Sequence, residues 1–154
     1  MNINRGLAIG VLILGVVAVV IGGVFIGQGV SKNNQLTEAM RVEHVTLGIE
    51  HPELQNEVID SLAEAQIAGD TIREHRCGIA ANHEDLLGEG RFDPTNPQHL
   101  SYAQALNLEN YLYLAVVAFG LVQSVMASGA FMVIVGLGLG GTGLLLYRLS
   151  GQSA

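Results

Sequence analysis

Hydrophobic and polar positions divide this chain into apolar, polar, apolar. From Gly6 to Gly29 it is uncharged and almost wholly apolar, and from Tyr111 to Tyr147 it again carries no formal charge. A lipid-crossing helix needs about 20 such residues, because the hydrocarbon core is roughly 30 Å thick and a helix rises about 1.5 Å per residue. Both runs therefore predict membrane helices. The second run is longer than one crossing requires. It is either a single helix whose first part stands outside the bilayer against protein, or a hairpin of two short helices turning at Ser128 and Gly129. The single rod, starting near Pro97, is the favoured reading.

Between the runs the pattern changes. Ser31 to Thr37 (SKNNQLT) reads as a polar linker. Residues 41 to 47 are rich in β-branched types and suit a short strand or extended crossing. Pro52 suits a first helical turn, with Glu53 behind it on the favourable end of the dipole. Leu54, Val58, Leu62, Ala65 and Ile72 fall on one helical face, which Ile59, Ala63 and Ile67 widen, so Pro52 to His75 is predicted to be an amphipathic helix. Two prolines three residues apart in FDPTNPQ forbid a continuous helix there. Helix resumes at Asn96 before Pro97, or at Ser101 with Gln104 as a capping box, and meets no breaker through SYAQALNLENYLYL. The apolar stripe of the Pro52 helix is expected to pack on this rod.

The fold class expected is thus an all-α membrane protein with two transmembrane helices, three if residues 111–147 form a hairpin, and a small α-helical exported domain. Its parts are an N-terminal anchor at 1–30, an acidic helical domain at 31–110, a hydrophobic membrane region at 111–149 and a tail at 150–154. The first run begins like a secretory signal, with a positive charge and then an apolar stretch, but its core of about 24 residues exceeds the roughly 7 to 15 of such a signal, so it reads as a retained anchor.

Charge sharpens the topology. All 14 acidic residues lie between Glu38 and Glu109, and of the 7 basic residues only Arg5 and Arg148 lie outside Lys32 to Arg91. The acidic middle excludes nucleic acid, whose phosphates need basic partners, and argues against docking on anionic headgroups. Arg5 and Arg148 favour cytoplasmic termini and Lys32 opposes them mildly; a long acidic domain is exported largely regardless of its charge. The location expected is the cell membrane, multi-pass, with residues 31–110 extracytoplasmic.

Candidate chemistry is sparse. The densest set of ligand-type side chains is EHRCGIAANHED, in which His75, Cys77 and His83 are the candidate metal ligands. Zinc favours Cys and His, but the paired spacings of structural sites are missing. A solvated helix end explains the same residues. The single cysteine excludes an intrachain disulfide and a C-x-x-C-H haem site. His44, His51 and His99 are scattered and lie outside the apolar runs, so no intramembrane histidine points to haem, pigment or proton traffic. Gln123 and Ser124 are polar interruptions of the second run, which interhelical hydrogen bonds would explain. GLGLGGTG at 136–143 lacks the preceding strand and the terminal Lys of a phosphate loop.

Small residues four apart let helices approach closely in lipid, where no hydrophobic drive holds them together. Gly6/Gly10, Gly23/Gly27 and Gly136/Gly140 have that spacing, and Gly23, Gly27, Gly136 and Gly140 are the candidate helix-packing residues. The layout, with LAEAQIAGDTIREH, then DPTNP, then ALNLENYLYLAVVAFGL running into a glycine-rich helix, resembles small bacterial membrane proteins of unassigned activity. That resemblance implies the exported-domain topology and supplies no catalytic residues. The function expected is non-enzymatic: a structural or accessory subunit that meets membrane lipid and assembles with itself or other membrane subunits. No cofactor is expected in that reading. The alternative is a metal-binding or redox accessory subunit using His75, Cys77 and His83, and a third class is a sensor whose exported domain binds a ligand.

Overall fold

The structure, a computed structural model, describes residues 3–44, 46 and 58–152. Nearly all of these are helical, in the order α1 (Ile3–Val42), α2 (Leu62–Ile79), α3 (His83–Leu87) and α4 (Pro97–Gln152). Among the described residues there is no named strand, only an isolated antiparallel bridge between Thr46 and Val58. Two helices, α1 and α4, are long and apolar enough to cross a membrane.

Two sequence expectations change and one holds. The polar stretch Ser31 to Thr37 is not a linker: α1 runs through it to Val42. Its residues include no proline or glycine, and Leu36 and Met40 continue an apolar row that finds cover. The amphipathic helix begins ten residues later than expected, at Leu62, and ends at Ile79. Ser61 decides this start: its hydroxyl accepts from the Glu64 N–H while the Glu64 carboxylate accepts from the Ser61 N–H, a complete capping box. Val58, Ile59 and Asp60 precede the helix, and His51, Pro52, Glu53 and Leu54 lie outside the described residues. The favoured single rod from Pro97 is present, and the alternative hairpin does not form at Ser128 and Gly129, because α4 passes through both as one helix of 56 residues. At about 1.5 Å per residue it is more than twice the length that a bilayer core requires.

The start of α4 follows from the proline-bearing turn. Asp93 Oδ1 accepts from the Thr95 N–H and hydroxyl, and Asn96 Oδ1 then accepts from the Gln98 N–H, so Asn96 caps the helix with Pro97 in its first turn. Along the apolar part, hydroxyls turn back onto the helix. Ser128, Thr142 and Ser150 donate to the carbonyls of Ser124, Gly138 and Tyr147. Such bonding satisfies the only strongly polar atoms of those side chains without water.

The chain forms two compact units, and α1 and α4 each contribute to both. Unit 1 comprises Met1–Asn33 and Leu121–Ala154; unit 2 comprises Asn34–Gly120. In unit 2, α2 packs its small face on α4, with Ala65, Ala68, Leu112, Ala115 and Phe119 buried around Ile59 and Met40. Leu62, Ile67 and Ile72 pack against that core. The expected packing of the amphipathic helix on the rod is therefore present, shifted in register: Ile59 is buried, Leu62 half-buried and Val58 in the bridge. The contact is close at Gly69, where an added Cβ would stand 3.2 Å from the Tyr113 ring.

In unit 1 the two helices run antiparallel. Gly15 faces Gly136 and Gly140, Gly22 faces Gly129 and Val133, and Gly143 faces Ala8 and Leu12, so numbering rises along one helix as it falls along the other. Ala8, Gly15, Gly22 and Gly29 are spaced by seven, as are Gly129, Gly136 and Gly143, and all seven are buried. A repeat of seven keeps one seam of a gently supercoiled helix facing its partner over its whole length. The backbones nearly touch. A Cβ on Gly22 would lie 2.6 Å from the Gly129 carbonyl oxygen, and one on Gly136 2.7 Å from that of Gly15.

Candidate functional site

Of the predicted metal ligands, His75 and Cys77 lie two positions apart on α2 and both are exposed. Residues two apart on a helix point to different sides. His83 lies on α3, where its ring meets the edge of Tyr102 at 6.3 Å between centroids. Among the described residues there is no group of three or more His, Cys, Asp or Glu side chains placed to hold a metal ion. His44 lies two residues beyond α1 in the left-handed region (φ 49°), and His99 Nδ1 accepts from the Asp93 N–H while its ring stacks on Phe92.

The strongest polar constellation of unit 2 uses other residues. Arg76 on α2 and Glu109 on α4 are buried, with side chains 10% and 9% exposed. Arg76 Nε donates to Glu109 Oε2 at 2.5 Å and Nη2 to Oε1 at 3.5 Å, while Nη1 donates to the Tyr102 hydroxyl at 2.9 Å. The guanidinium also lies 5.2 Å from the centre of the Tyr102 ring. Hydrogen bonding to Glu109 holds the Arg76 pKa above its ordinary value against the opposing effect of burial. Every nitrogen of this guanidinium has a partner, so it acts as a clamp between α2 and α4. It offers nothing to a substrate.

The clamp had a sequence signal. Leu62, Ala65, Gly69, Ile72 and Arg76 recur at helical spacing, so an arginine closes an otherwise apolar row, and Glu109 is the only acid of α4. A second polar link lies one to two turns away. The Tyr113 hydroxyl donates to Asp70 Oδ1 at 2.6 Å, and Gln66 Nε2 donates to Asp70 Oδ2 at 3.0 Å. These bonds, the Gln66 one foremost, lower the Asp70 pKa. At the other side of unit 2 Arg41 pairs with Asp60 at 2.6 Å in an exposed contact.

Beside the clamp is a cleft of about 210 Å³ bordered by His83, Phe92, Tyr102, Leu106, Asn107 and Asn110. It is shallow, and its asparagines and His83 are solvent-exposed.

Comparison with protein families, curated proteins and solved structures finds no match. The candidate helix-packing residues divide. Gly136 is buried in the seam of unit 1, and Gly140 lends its backbone to the contact with Gly15. Gly23 and Gly27 are exposed, with nothing within 4 Å of where a Cβ would stand; Gly6 and Gly10 likewise meet nothing. The residues missing from the four-residue reading are Gly15, Gly22, Gly29, Gly129 and Gly143, whose signal is the spacing of seven.

Proposed function

We propose that this chain is a non-enzymatic integral membrane protein, a structural or accessory subunit in which unit 1 spans the bilayer and unit 2 is an exported acidic helical module. The observation that carries the reading is the surface of the unit 1 pair. Its seam is closed by backbone contact, yet Leu14, Val17 and Val24 on α1 and Phe131, Ile134 and Leu145 on α4 are exposed. In the most apolar window of each helix only 11% and 17% of the residues are buried inside the protein, far from the burial of a soluble core helix. Contiguous apolar surface beyond a few hundred Å² is rare on soluble monomers and calls for lipid or a partner.

Gly23 and Gly27, one turn apart and open, give a further helix room to approach. Assembly with a second copy or with another membrane subunit uses this outer face, while the seam of seven holds the chain's own pair. The full-length protein, purified from native membrane in a gentle detergent, is expected to show a protein mass above that of one chain. Gly27→Leu is expected to lower that mass while leaving insertion intact. Identical mass and crosslinking in the wild type and in Gly27→Leu would count against assembly through this face.

A further inference from the structure

Two apolar cavities lie on unit 1. One, of about 330 Å³, is bordered by Val16, Val19, Val20, Leu137 and Gly141; the other, of about 300 Å³, by Ile9, Leu12, Leu144 and Tyr147. Ile9 and Val16 are seven residues apart, as are Leu12 and Val19, and Leu137 and Leu144. Positions seven apart share a side of a helix pair of this kind, so the cavities are successive stations of one groove along it. From Ile9 to Val20 the groove extends roughly 16 Å at about 1.5 Å per residue, close to the ~15 Å depth of one leaflet's hydrocarbon.

One end of the groove is cationic. Arg5 stands seven residues before Leu12 on the same row, and its guanidinium lies 5.8 Å from the centre of the Tyr147 ring that borders the groove. On α4 the corresponding station is Gly151, seven beyond Leu144, where an added Cβ would lie 3.3 Å from Arg5 Nη2. Unit 1 contains Arg5, Lys32 and Arg148 and no Asp or Glu, so no carboxylate side chain of its own unit neutralises Arg5. Two apolar hollows in line over about the depth of a leaflet, with an arginine at one end, match an acyl chain joined to an anionic headgroup.

We infer that unit 1 carries a binding site for one anionic phospholipid, its acyl chain lying in the groove from Ile9 to Val20 and its phosphate on Arg5. The inference rests on the membrane reading above and names a lipid partner for the Arg5 end of unit 1. A guanidinium suits this task because its planar donors bind phosphate oxygens in pairs. Tyr147 orients the arginine from below by presenting the face of its ring.

The test uses the full chain reconstituted in vesicles of equal parts phosphatidylglycerol and phosphatidylcholine, followed by native mass spectrometry of the lipid that stays bound after extraction. Wild type is expected to retain phosphatidylglycerol about fivefold over phosphatidylcholine, the scale of one arginine near an anionic surface. Arg5→Gln is expected to remove that preference, and Lys32→Gln to keep it. Gly141→Leu fills the groove from a position where a Cβ meets nothing, and is expected to reduce retained lipid of both kinds with the helix pair intact by circular dichroism.

Equal retention of the two lipids by wild type, or an unchanged preference in Arg5→Gln, would overturn the site. So would release of the wild-type chain free of lipid from both kinds of vesicle. Failure of the chain to float with vesicles of either lipid would sink the membrane reading itself, and is told apart from loss of headgroup preference in a chain that floats.

Discussion

At the residue scale, the Arg76 and Glu109 pair sets how α2 is held. Taking two charges out of water is costly, and only the doubled contact with Glu109 and the bond to Tyr102 offset it. Removing one partner leaves the other buried and uncompensated. Glu109→Ala is therefore expected to destabilise unit 2 by about 3–5 kcal/mol, while the joint replacement Arg76→Met with Glu109→Leu is expected to be near neutral or stabilising. Thermal unfolding of the full chain, with hydrogen exchange over α2, checks both. Asp70 gives a pH effect of known sign. Its folded pKa is lowered, so its contribution is complete above the unfolded carboxylate value of about 3.9 and is lost as pH falls through the lowered folded value. Wild type should lose stability on acidification below pH ~4 more steeply than Asp70→Asn, as followed by circular dichroism against pH. Equal slopes would remove Asp70 from the account.

At the scale of elements, the seam of unit 1 discriminates sharply between adjacent glycines. Gly22 is buried against Gly129 and Val133, whereas a Cβ at Gly23 meets nothing. Gly22→Leu should separate the pair or shift its register, at a cost of at least the 1–3 kcal/mol of an overpacked core, and Gly23→Leu should leave it intact. Melting temperature and amide exchange of the two variants in the same detergent provide the comparison. The choice of seven over four is physical. A four-residue motif suits helices that cross steeply and touch over a short length, whereas two long helices of one chain running alongside each other need a repeat that follows the seam. A four-residue spacing marks Gly136 and Gly140 and equally Gly23 and Gly27, although the latter two lie off the seam. Pro52 carries a helix-start signal of its own, but the capping box of Ser61 and Glu64 sets the start of α2.

At the scale of the whole molecule, topology is the decisive question, and α4 as one uninterrupted helix narrows it. In the proposed topology each long helix crosses once, both termini lie on the same side, and Arg5 and Arg148 favour the cytoplasm for that side. In a Cys77→Ser background, a cysteine at Ser153 is expected to stay unlabelled when intact cells meet a membrane-impermeant thiol reagent, while exposed Cys77 of the parent is labelled. Labelling at 153 from outside would reverse the assignment of the C-terminus. What the chain determined by itself is local: apolar runs long enough to cross a bilayer, an acidic stretch between them, and caps at Asn96 and Ser61, all of which act through neighbours in sequence. Tertiary structure decided the rest. Helical continuation through Ser31 to Thr37 depends on the cover that Leu36 and Met40 find in unit 2, and the pairing of Arg76 with Glu109 joins residues far apart in the chain. The inward glycines, too, are distinguished from the outward ones only by where a second backbone comes to lie, because a residue without a side chain carries no label for the face it will bury.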